Sequence, residues 1–464
     1  MGDLGKYDVI IVGGGPAGLF AAYFLCENSD LKVILIDKGK MPKKRKCPMS
    51  IKGVCLKCNP CHIMSGIGGA GLFSDGKLNF IPKLGKTDLT QFMDMESARE
   101  LVDETEAIFT KFGMDGEVYP KDIEKAKEIR KEARKVGVEL LLIKQKHLGT
   151  ERLPDYIEEM AQYLIKKGIK VLCNTDVVDV LVKDNRVLGV VTEKGDIYGE
   201  KVILAPGRIG AEWLVGIAKK LNIETIQRGI EVGVRVEIFN EIMDDLTDII
   251  YDPTFFIQTK KYDDQTRTFC TNKGGYITVE NYSRFVCVNG HAYRDKKSEN
   301  TNFAFLSKVV LTEPVTDSLR YGESIGQLAT IIGGGKPILQ RFGDLKRGRR
   351  STWNRVKKGF IVPTLTDVTC GDIAMAFPKR IMTNIVEGLE KLNNVIPGVA
   401  NDETLLYAPE IKFFGTQIVT SKNLETKIKG LYVAGDGAGV TGNIVAAAAT
   451  GLIPAKHILY QKNR

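Results

Sequence analysis

The chain has 464 residues, of which 43% are hydrophobic and 27% are charged, and its 66 Lys and Arg against 57 Asp and Glu give a formal net charge of +9. This composition is typical of a folded globular protein with room for two domains. No uninterrupted apolar stretch reaches about 18 residues, and the N-terminus lacks a signal-peptide pattern, so we expect a cytoplasmic protein without a membrane segment.

The first predicted element is a strand, a glycine-rich turn and a helix in the segment YDVIIVGGGPAGLFAAYFL. Gly13, Gly15 and Gly18 have the G-x-G-x-x-G spacing that permits a tight turn, close approach of a pyrophosphate and close packing of helix on strand. Free amides at the helix N-terminus would receive the phosphates.

The second strand, KVILID, ends at Asp37, nineteen residues after Gly18. A carboxylate there can bind ribose hydroxyls and disfavours the 2′-phosphate of NADP, so the unit predicts an FAD or NAD site. The predicted contacts of this unit are Gly13, Gly15, Pro16, Ala17, Gly18, Asp37 and Lys38.

Four of the nine cysteines lie in the segment CPMSIKGVCLKCNPC, at positions Cys47, Cys55, Cys58 and Cys61. The C-x2-C-x2-C spacing of the last three suits three ligands of a 4Fe-4S cluster, with Cys47 as the fourth. Four thiolates also suit zinc. A pair of redox thiols, or no ligand at all, is the third alternative.

The basic run KGKMPKKRK comes directly before these cysteines. It would attract a small acidic electron carrier such as ferredoxin or flavodoxin, although a solubilising loop has the same composition. We expect no nucleic-acid partner, because no interleaved basic and aromatic residues were recognised.

Residues 83–160 contain two charged segments with apolar residues three and four apart, which predicts a helical cap or insertion. The stretch that follows predicts a strand, two hairpins at KDNR and EKGD, and a last strand that ends at Gly207. Val177 and Gly207 are predicted cofactor contacts.

Residues 211–410 mix strands such as GVRVEIF and GYITVEN with helices, and we expect them to form the substrate domain. Its candidate groups for binding a carboxylate or donating a proton are Arg235, His291, Arg294 and Arg341. His291 and Arg294 are the predicted catalytic residues, since an imidazole can deliver the proton that accompanies hydride transfer.

A second nucleotide-binding unit is not evident. The segment TIIGGGKPILQRFGD has three glycines, but Lys336 and Pro337 follow where a helix would have to start. A dedicated nicotinamide domain is therefore not predicted, while transient use of NAD(P)H at the flavin stays open.

Near the C-terminus, the segment GLYVAGDGAGVTGNIVAAAATGLIPAKHIL predicts a strand that ends at Gly435 and Asp436, a turn of small residues and an apolar helix. Asp436 is placed to bind ribityl hydroxyls, and the helix N-terminus would favour negative charge at the flavin N1–C2 edge. This segment favours FAD over NAD, and it adds Gly442 and Asn443 to the predicted contacts.

These pieces, together with GIGGAGLFSDGKLN, RTFCTNKGGYI, VCVNGHAYR and AGDGAG, resemble the uncharacterised FAD-dependent dehydrogenases, in a branch with a cysteine cluster. The resemblance implies an α/β fold, in which a Rossmann-like FAD-binding domain of the glutathione-reductase type is interrupted by a mixed α+β substrate domain. The FAD-binding parts would be residues 1–82, 161–210 and 411–464.

The resemblance also implies that the segment after the cysteines lies against the flavin, where Lys77 would stabilise a reduced ring. The contacts implied in this way are Gly69, Ala70, Gly71, Ser74 and Asp75. The chain departs from its relatives at Cys270-Thr271-Asn272, where many have Cys-x-Cys-Pro-Gly-Gly, so no redox dithiol is predicted there.

The sequence therefore predicts an FAD-dependent oxidoreductase that acts on an unidentified small organic substrate and exchanges electrons through a four-cysteine iron–sulfur site. The alternatives are an NAD(P)H-dependent flavin dehydrogenase with structural zinc, and a flavin redox sensor without turnover.

Overall fold

The computed structural model describes residues 2–48, 56, 58–74, 76–149, 152–282, 284–293, 296–311, 317–413 and 415–462. The chain forms two compact units. Unit 1 comprises Met1–Glu117, Lys146–Arg228 and Phe414–Arg464, and unit 2 comprises Val118–Gln145 and Gly229–Phe413.

The helices are α1 (Pro16–Asn28), α2 (Met95–Lys111), α3 (Ile123–Lys135), α4 (Leu153–Lys166), α5 (Ala211–Lys220), α6 (Asp244–Thr247), α7 (Ser318–Ile332), α8 (Phe342–Lys346), α9 (Trp353–Val356), α10 (Lys379–Leu392) and α11 (Ile444–Lys462). None of the helices in the described ranges is both long enough and apolar enough to span a membrane.

The strands are β1 (Gly2–Val12), β2 (Val33–Ile36), β3 (Lys77–Phe80), β4 (Lys83–Leu84), β5 (Thr87–Asp88), β6 (Glu117–Tyr119), β7 (Val138–Leu141), β8 (Lys144–His147), β9 (Lys170–Leu172), β10 (Val177–Lys183), β11 (Arg186–Thr192), β12 (Gly195–Leu204), β13 (Thr225–Gln227), β14 (Ile230–Phe239), β15 (Thr254–Gln258), β16 (Gln265–Asn272), β17 (Tyr276–Asn281), β18 (Val286–His291), β19 (Asn300–Val309), β20 (Ile338–Arg341), β21 (Thr369–Cys370), β22 (Leu405–Phe413), β23 (Thr416–Ile418) and β24 (Leu431–Val433).

The main sheet of unit 1 has the order β10-β11-β12-β1-β2-β9, with β24 also paired to β12. The apolar residues at the end of β1 and throughout β2 are buried, as expected for parallel strands covered on both faces. Because β2, β1, β12 and β24 run parallel, their carboxyl ends meet at one edge of the sheet. The segments that follow these four ends therefore come together.

The predicted fold class is confirmed. Both predicted hairpins are present, and Asp184 and Asn185 at the turn between β10 and β11 have φ angles of 48° and 58°. Two consecutive positive φ angles are typical of a tight hairpin turn, and Asp and Asn tolerate them better than most residues.

The units divide the chain at other positions than the sequence analysis proposed. Of residues 83–160, only 118–145 belong to unit 2, where β7 pairs with β15, and the others belong to unit 1. The second part of unit 2 begins at residue 229, whereas the predicted substrate domain begins at residue 211. Helix α5 and strand β13 therefore belong to unit 1.

Unit 2 has an eight-stranded sheet in the order β21-β20-β22-β14-β19-β16-β15-β7. The glycines of the TIIGGG segment follow the C-terminal end of α7 and precede β20. This order of helix, turn and strand is the reverse of a nucleotide-binding unit, in which a strand leads into the helix.

Strand β14 lies at the centre of this sheet and buries three charged side chains. Glu231 forms a bidentate ion pair with Arg267, at 2.6 and 2.7 Å. Arg235 lies 3.3 Å from Glu410, and both are fully buried. Glu231 and Arg235 each have a partner of opposite sign, which is the condition for keeping a charge inside a protein, and the third side chain, Glu237, accepts a hydrogen bond of 2.6 Å from the Tyr407 hydroxyl.

The Arg235–Glu410 pair generates a stability prediction. Glu410 Oε1 also lies 2.9 Å from Lys412 Nζ, so Glu410→Ala would leave two cations without their carboxylate. We expect a loss of about 3–5 kcal/mol in the free energy of unfolding, measured by urea denaturation.

The matched control is Glu139→Ala, which removes an exposed ion pair with Arg134 in the same unit. It should cost less than about 1 kcal/mol. Equal losses in the two variants would contradict a structural role for the buried pair.

Candidate cofactor site

Unit 1 contains a cavity of about 330 Å³ at the carboxyl edge of its main sheet. Most of the predicted cofactor contacts line it, although the segments that carry them are far apart in the sequence. These residues are Gly13, Gly15, Pro16, Ala17, Asp37, Lys38, Gly69, Ala70, Gly71, Ser74, Val177, Gly207, Gly435, Asp436, Gly442 and Asn443.

Two predicted residues, Gly18 and Lys77, are not part of this wall as described. A Cβ at Gly18 would lie 1.9 Å from the carbonyl oxygen of Gly13, so Gly18 permits helix packing and does not face the cavity. Lys77 begins β3 and is absent from the lining as described. Asp75 lies outside the described residues.

Two glycine segments approach each other along the cavity. A Cβ at Gly15 would lie 3.8 Å from the Cα of Gly69, and a Cβ at Gly69 would lie 3.1 Å from the Cα of Gly15. Gly69 has a φ of 61°, which glycine adopts without strain. Helix α1 begins beside Gly15 without a side-chain cap, so its first amides are available to an anion.

Asp37 holds the glycine turn in place. Its Oδ2 accepts a hydrogen bond of 2.8 Å from the amide of Gly14, and its Oδ1 accepts one of 2.7 Å from the amide of Gly39. Burial raises the pKa of the Asp37 carboxyl, while the two amides oppose this. Each oxygen retains a second acceptor position, which suits the predicted ribose contact.

Asp436 is paired with two cations that the sequence analysis did not identify. One oxygen contacts the ammonium of Lys86, and the other lies 2.9 Å from Arg208 Nε. Burial would raise the pKa of Asp436, but the two cations outweigh it and hold this pKa below its ordinary value. Burial lowers the pKa of Lys86, and Asp436 opposes that effect.

Arg45 fixes the part of the wall that follows the cysteine segment. Its buried guanidinium donates to the carbonyls of His62, Ile63 and Ile67 at 3.0, 2.6 and 2.8 Å. Burial lowers the pKa of Arg45 to about 10. Four donor–acceptor contacts, counting a longer one to Gly66 at 3.4 Å, hold this backbone in one conformation.

Ser65 lies within the segment that Arg45 holds. The residue is 4% exposed, it lines the cavity, and its Oγ has no hydrogen-bond partner among the residues that the structure describes. A buried hydroxyl without a partner is costly, so a polar group of a cofactor fits this position. The sequence offered no signal for Ser65.

The basic run before the cysteines is therefore not uniform. Arg45 is buried and donates to backbone carbonyls, whereas Lys43, Lys44 and Lys46 are exposed. Arg45 is therefore not presented at the surface, and the attraction of an acidic carrier to the exposed lysines stays a prediction.

Three cysteines of the segment lie in the described residues. Cys58 and Cys61 are half-buried free thiols, Cys47 is half-buried, and Cys55 lies outside the described residues. In the described part of the chain, no three His, Cys, Asp or Glu side chains come together in a way that would hold a metal ion. The geometry that is present therefore does not supply a ready-made metal site.

The candidate catalytic groups lie in unit 2. His291 ends β18, and its ring is edge-on to Tyr293 with 4.5 Å between centroids. Arg294 is outside the described residues. Arg235 is engaged with Asn302, Glu410 and the carbonyl of Cys270, so its buried guanidinium has a structural role.

The fourth candidate in unit 2, Arg341, is paired with Glu403 and Asp344. Its guanidinium is thus engaged within the unit, and the structure gives no sign that it faces a substrate.

Comparisons with known proteins agree with the cavity. Residues 229–412 match the family model described as "FAD-dependent protein, C-terminal domain-like". Residues 1–42 match the Thi4 family, and residues 373–463 match glucose inhibited division protein A.

Among curated proteins, an uncharacterized protein of Clostridium beijerinckii is 25% identical over 475 residues, which covers 97% of this chain and 80% of that protein. An uncharacterized protein of Methanosarcina barkeri is 50% identical over 42 residues, which is 9% of this chain and 11% of that protein.

Two solved structures match along most of this chain. Quinol fumarate reductase FrdA from E. coli is 12% identical with a TM-score of 0.45, and the match covers 100% of this chain and 71% of that one. Glycine oxidase from Bacillus cereus is 16% identical with a TM-score of 0.37, and the match covers 98% and 96%.

The parallel sheet, the glycine-walled cavity at its carboxyl edge and the match of residues 229–412 to the model of an FAD-dependent protein agree with the class predicted from the sequence, a protein that uses FAD. The Clostridium beijerinckii protein, which matches along most of this chain, is uncharacterized and therefore indicates no substrate.

The glycine wall generates a binding prediction. Gly15 has an ordinary φ of −74°, and an added methyl group would be in van der Waals contact only, so Gly15→Ala should keep the fold. The methyl group would face the phosphates, and we expect affinity for FAD to fall about tenfold or more, measured by quenching of flavin fluorescence.

Gly216→Ala in α5 serves as the control, because nothing lies within 4 Å of an added Cβ there. It should leave FAD affinity unchanged. Wild-type affinity in Gly15→Ala would contradict the placement of the phosphates at α1.

Proposed function

We propose that the protein transfers a hydride between FAD and an unidentified small organic substrate, and that it exchanges electrons with an acidic protein carrier through the cysteine segment. The observation that carries the hydride-transfer part is the cavity, in which glycine backbone, Asp37 and Asp436 are arranged as a dinucleotide with a flavin would require. FAD supplies the hydride chemistry when bound, and the chain binds it, orients it and sets its charge environment.

The residues of the site suit these tasks. The uncapped amides of α1 are available to the pyrophosphate, and Gly15 and Gly69 leave space for close backbone approach. Ser65 offers a buried hydroxyl that has no partner in the described part of the chain. His291 remains the proposed group that exchanges the proton accompanying the hydride, with Arg294 as a proposed substrate anchor.

The electron-exchange part rests on the cysteine spacing and on how the segment is held. His62 Nδ1 donates to the carbonyl of Lys46 at 2.8 Å, so the ends of the segment, which carry Cys47 and Cys61, are tied together. Arg45 binds the carbonyls of His62 and Ile63, directly after Cys61, and the next three residues, 64–66, line the cavity. A group bound by this segment would therefore be attached to the same stretch of backbone that forms part of the cofactor wall.

The metal identity is tested on protein purified under anaerobic conditions. We expect iron and acid-labile sulfide together with flavin, and visible thiolate-to-iron absorption that bleaches with dithionite. Zinc without iron would contradict the iron–sulfur hypothesis and favour a structural metal. Flavin without any metal would leave only the hydride-transfer part of the proposal.

A cysteine variant separates the two parts. Cys58→Ser should lose iron and carrier-dependent turnover but retain FAD, since Cys58 does not line the cavity in the described structure. Cys26→Ser, in α1 and outside the cysteine segment, should retain both iron and turnover. If Cys58→Ser kept its carrier-dependent turnover, the electron route through this segment would be wrong.

The carrier is tested by charge reversal. Lys43 and Lys44 are exposed, so Lys43→Glu/Lys44→Glu should slow reduction by a reduced acidic ferredoxin about tenfold at low salt, with a smaller effect at high salt. The matched control, Lys357→Glu/Lys358→Glu, reverses two exposed lysines of unit 2. Equal slowing in both variants would indicate a net-charge effect and contradict docking at the basic run.

A further inference from the structure

The short hairpin of β4 and β5 brings a buried lysine to the wall of the cofactor cavity. Thr87 Oγ1 accepts hydrogen bonds from the amide of Gly442 at 3.0 Å and from Asn443 Nδ2 at 3.3 Å. Lys86 precedes Thr87 at the hairpin turn, and its side chain is 11% exposed. The hairpin is thus attached to the cavity wall by backbone and side chain.

The Lys86 side chain fits against Gly442 because glycine has no side chain. A Cβ at Gly442 would lie 2.9 Å from Cγ and 3.0 Å from Cε of Lys86. Gly442 and Asp436 both line the cavity, and the ammonium of Lys86 contacts Asp436. Lys86 therefore lies directly behind the wall that these two residues form.

The charges at this point do not cancel. Lys86 and Arg208 both pair with Asp436, so two cations share one carboxylate. Lys86 and Asp436 are largely buried, so water and salt screen the Lys86 ammonium weakly, whereas the Arg208 side chain is 68% exposed and its charge is screened more strongly. Helix α11 begins at Ile444, two residues after Gly442, and its N-terminal end adds partial positive charge.

Reduction of FAD creates the charge that such a site would favour. The flavin takes up two electrons and one proton, the proton goes to N5, and the negative charge that remains is spread over the N1–C2 edge. Charge placed near this edge is one of the ways in which proteins tune a flavin.

We propose that Lys86 sets the charge environment of the reduced cofactor: its ammonium, held behind the wall of Asp436 and Gly442, stabilises the negative charge that FAD gains on reduction. This role was expected of Lys77, which does not line the cavity as described. The inference rests on the proposed function, because it requires FAD in this cavity.

The test is the midpoint potential of bound FAD, titrated anaerobically with xanthine and xanthine oxidase against a reference dye. Lys86→Met keeps the stem and removes the charge. It should weaken binding of reduced FAD relative to oxidised FAD about tenfold. For a two-electron couple, this corresponds to a midpoint potential about 30 mV lower. Lys86→Gln, which can still donate to Asp436, serves as a second neutral variant with the same expected shift.

Two variants act as controls. Lys86→Arg keeps the charge and should stay near the wild-type potential. Lys83→Met removes an exposed lysine of the same hairpin, paired with Asp88, and should also leave the potential unchanged. An unchanged potential in both neutral Lys86 variants with FAD bound would overturn the proposal, as would an equal shift in Lys83→Met.

A double variant tests whether Lys86 acts only by neutralising Asp436. In an Asp436→Asn background, Lys86→Met should still lower the potential, because the positive charge acts on the cofactor. No further shift in this background would overturn the proposal. A wild-type protein that binds no FAD would instead refute the proposed function itself, which keeps the two failures distinguishable.

Discussion

Close backbone contact at one edge of the main sheet is the constraint on which unit 1 depends. A Cβ at Gly18 would lie 1.9 Å from the carbonyl oxygen of Gly13, and a Cβ at Gly13 would lie 2.1 Å from that of Ala205. A Cβ at Gly451 would lie 2.0 Å from the carbonyl oxygen of Ala17, which brings α11 against α1. Glycine is thus required at three places for the two ends of the chain to share one cavity wall.

The two carboxylates of that wall are stabilised in different ways, and this gives the cavity its polarity. Asp37 is held by the backbone amides of Gly14 and Gly39, whereas Asp436 is held by the charged side chains of Lys86 and Arg208. Amides orient a carboxylate without adding a full charge, whereas Lys86 and Arg208 each bring a full positive charge, that of Lys86 from a largely buried position. The C-terminal part of the wall is therefore the part suited to a group that becomes negative.

Much of unit 1 could be predicted from the sequence, because its signals are local. Glycine spacing, β-branched runs and the Asp184–Asn185 turn each specify a structure within a few residues. The roles of Arg45 and Lys86 could not be predicted, because their partners are set by tertiary contacts. Lys86 and Asp436, for example, are 350 positions apart in the sequence. Likewise, amphipathic patterning predicted α3 but not that the strand after it would pair with β15 in unit 2.

The central claim is that the cavity of unit 1 binds FAD, and the most direct measurement is the flavin content of the purified wild-type chain. After heat release, we predict one FAD per chain, identified by mass spectrometry, with neither FMN nor NAD in its place. A folded protein that contains no flavin, and that takes up none when FAD is added in excess, would contradict the account.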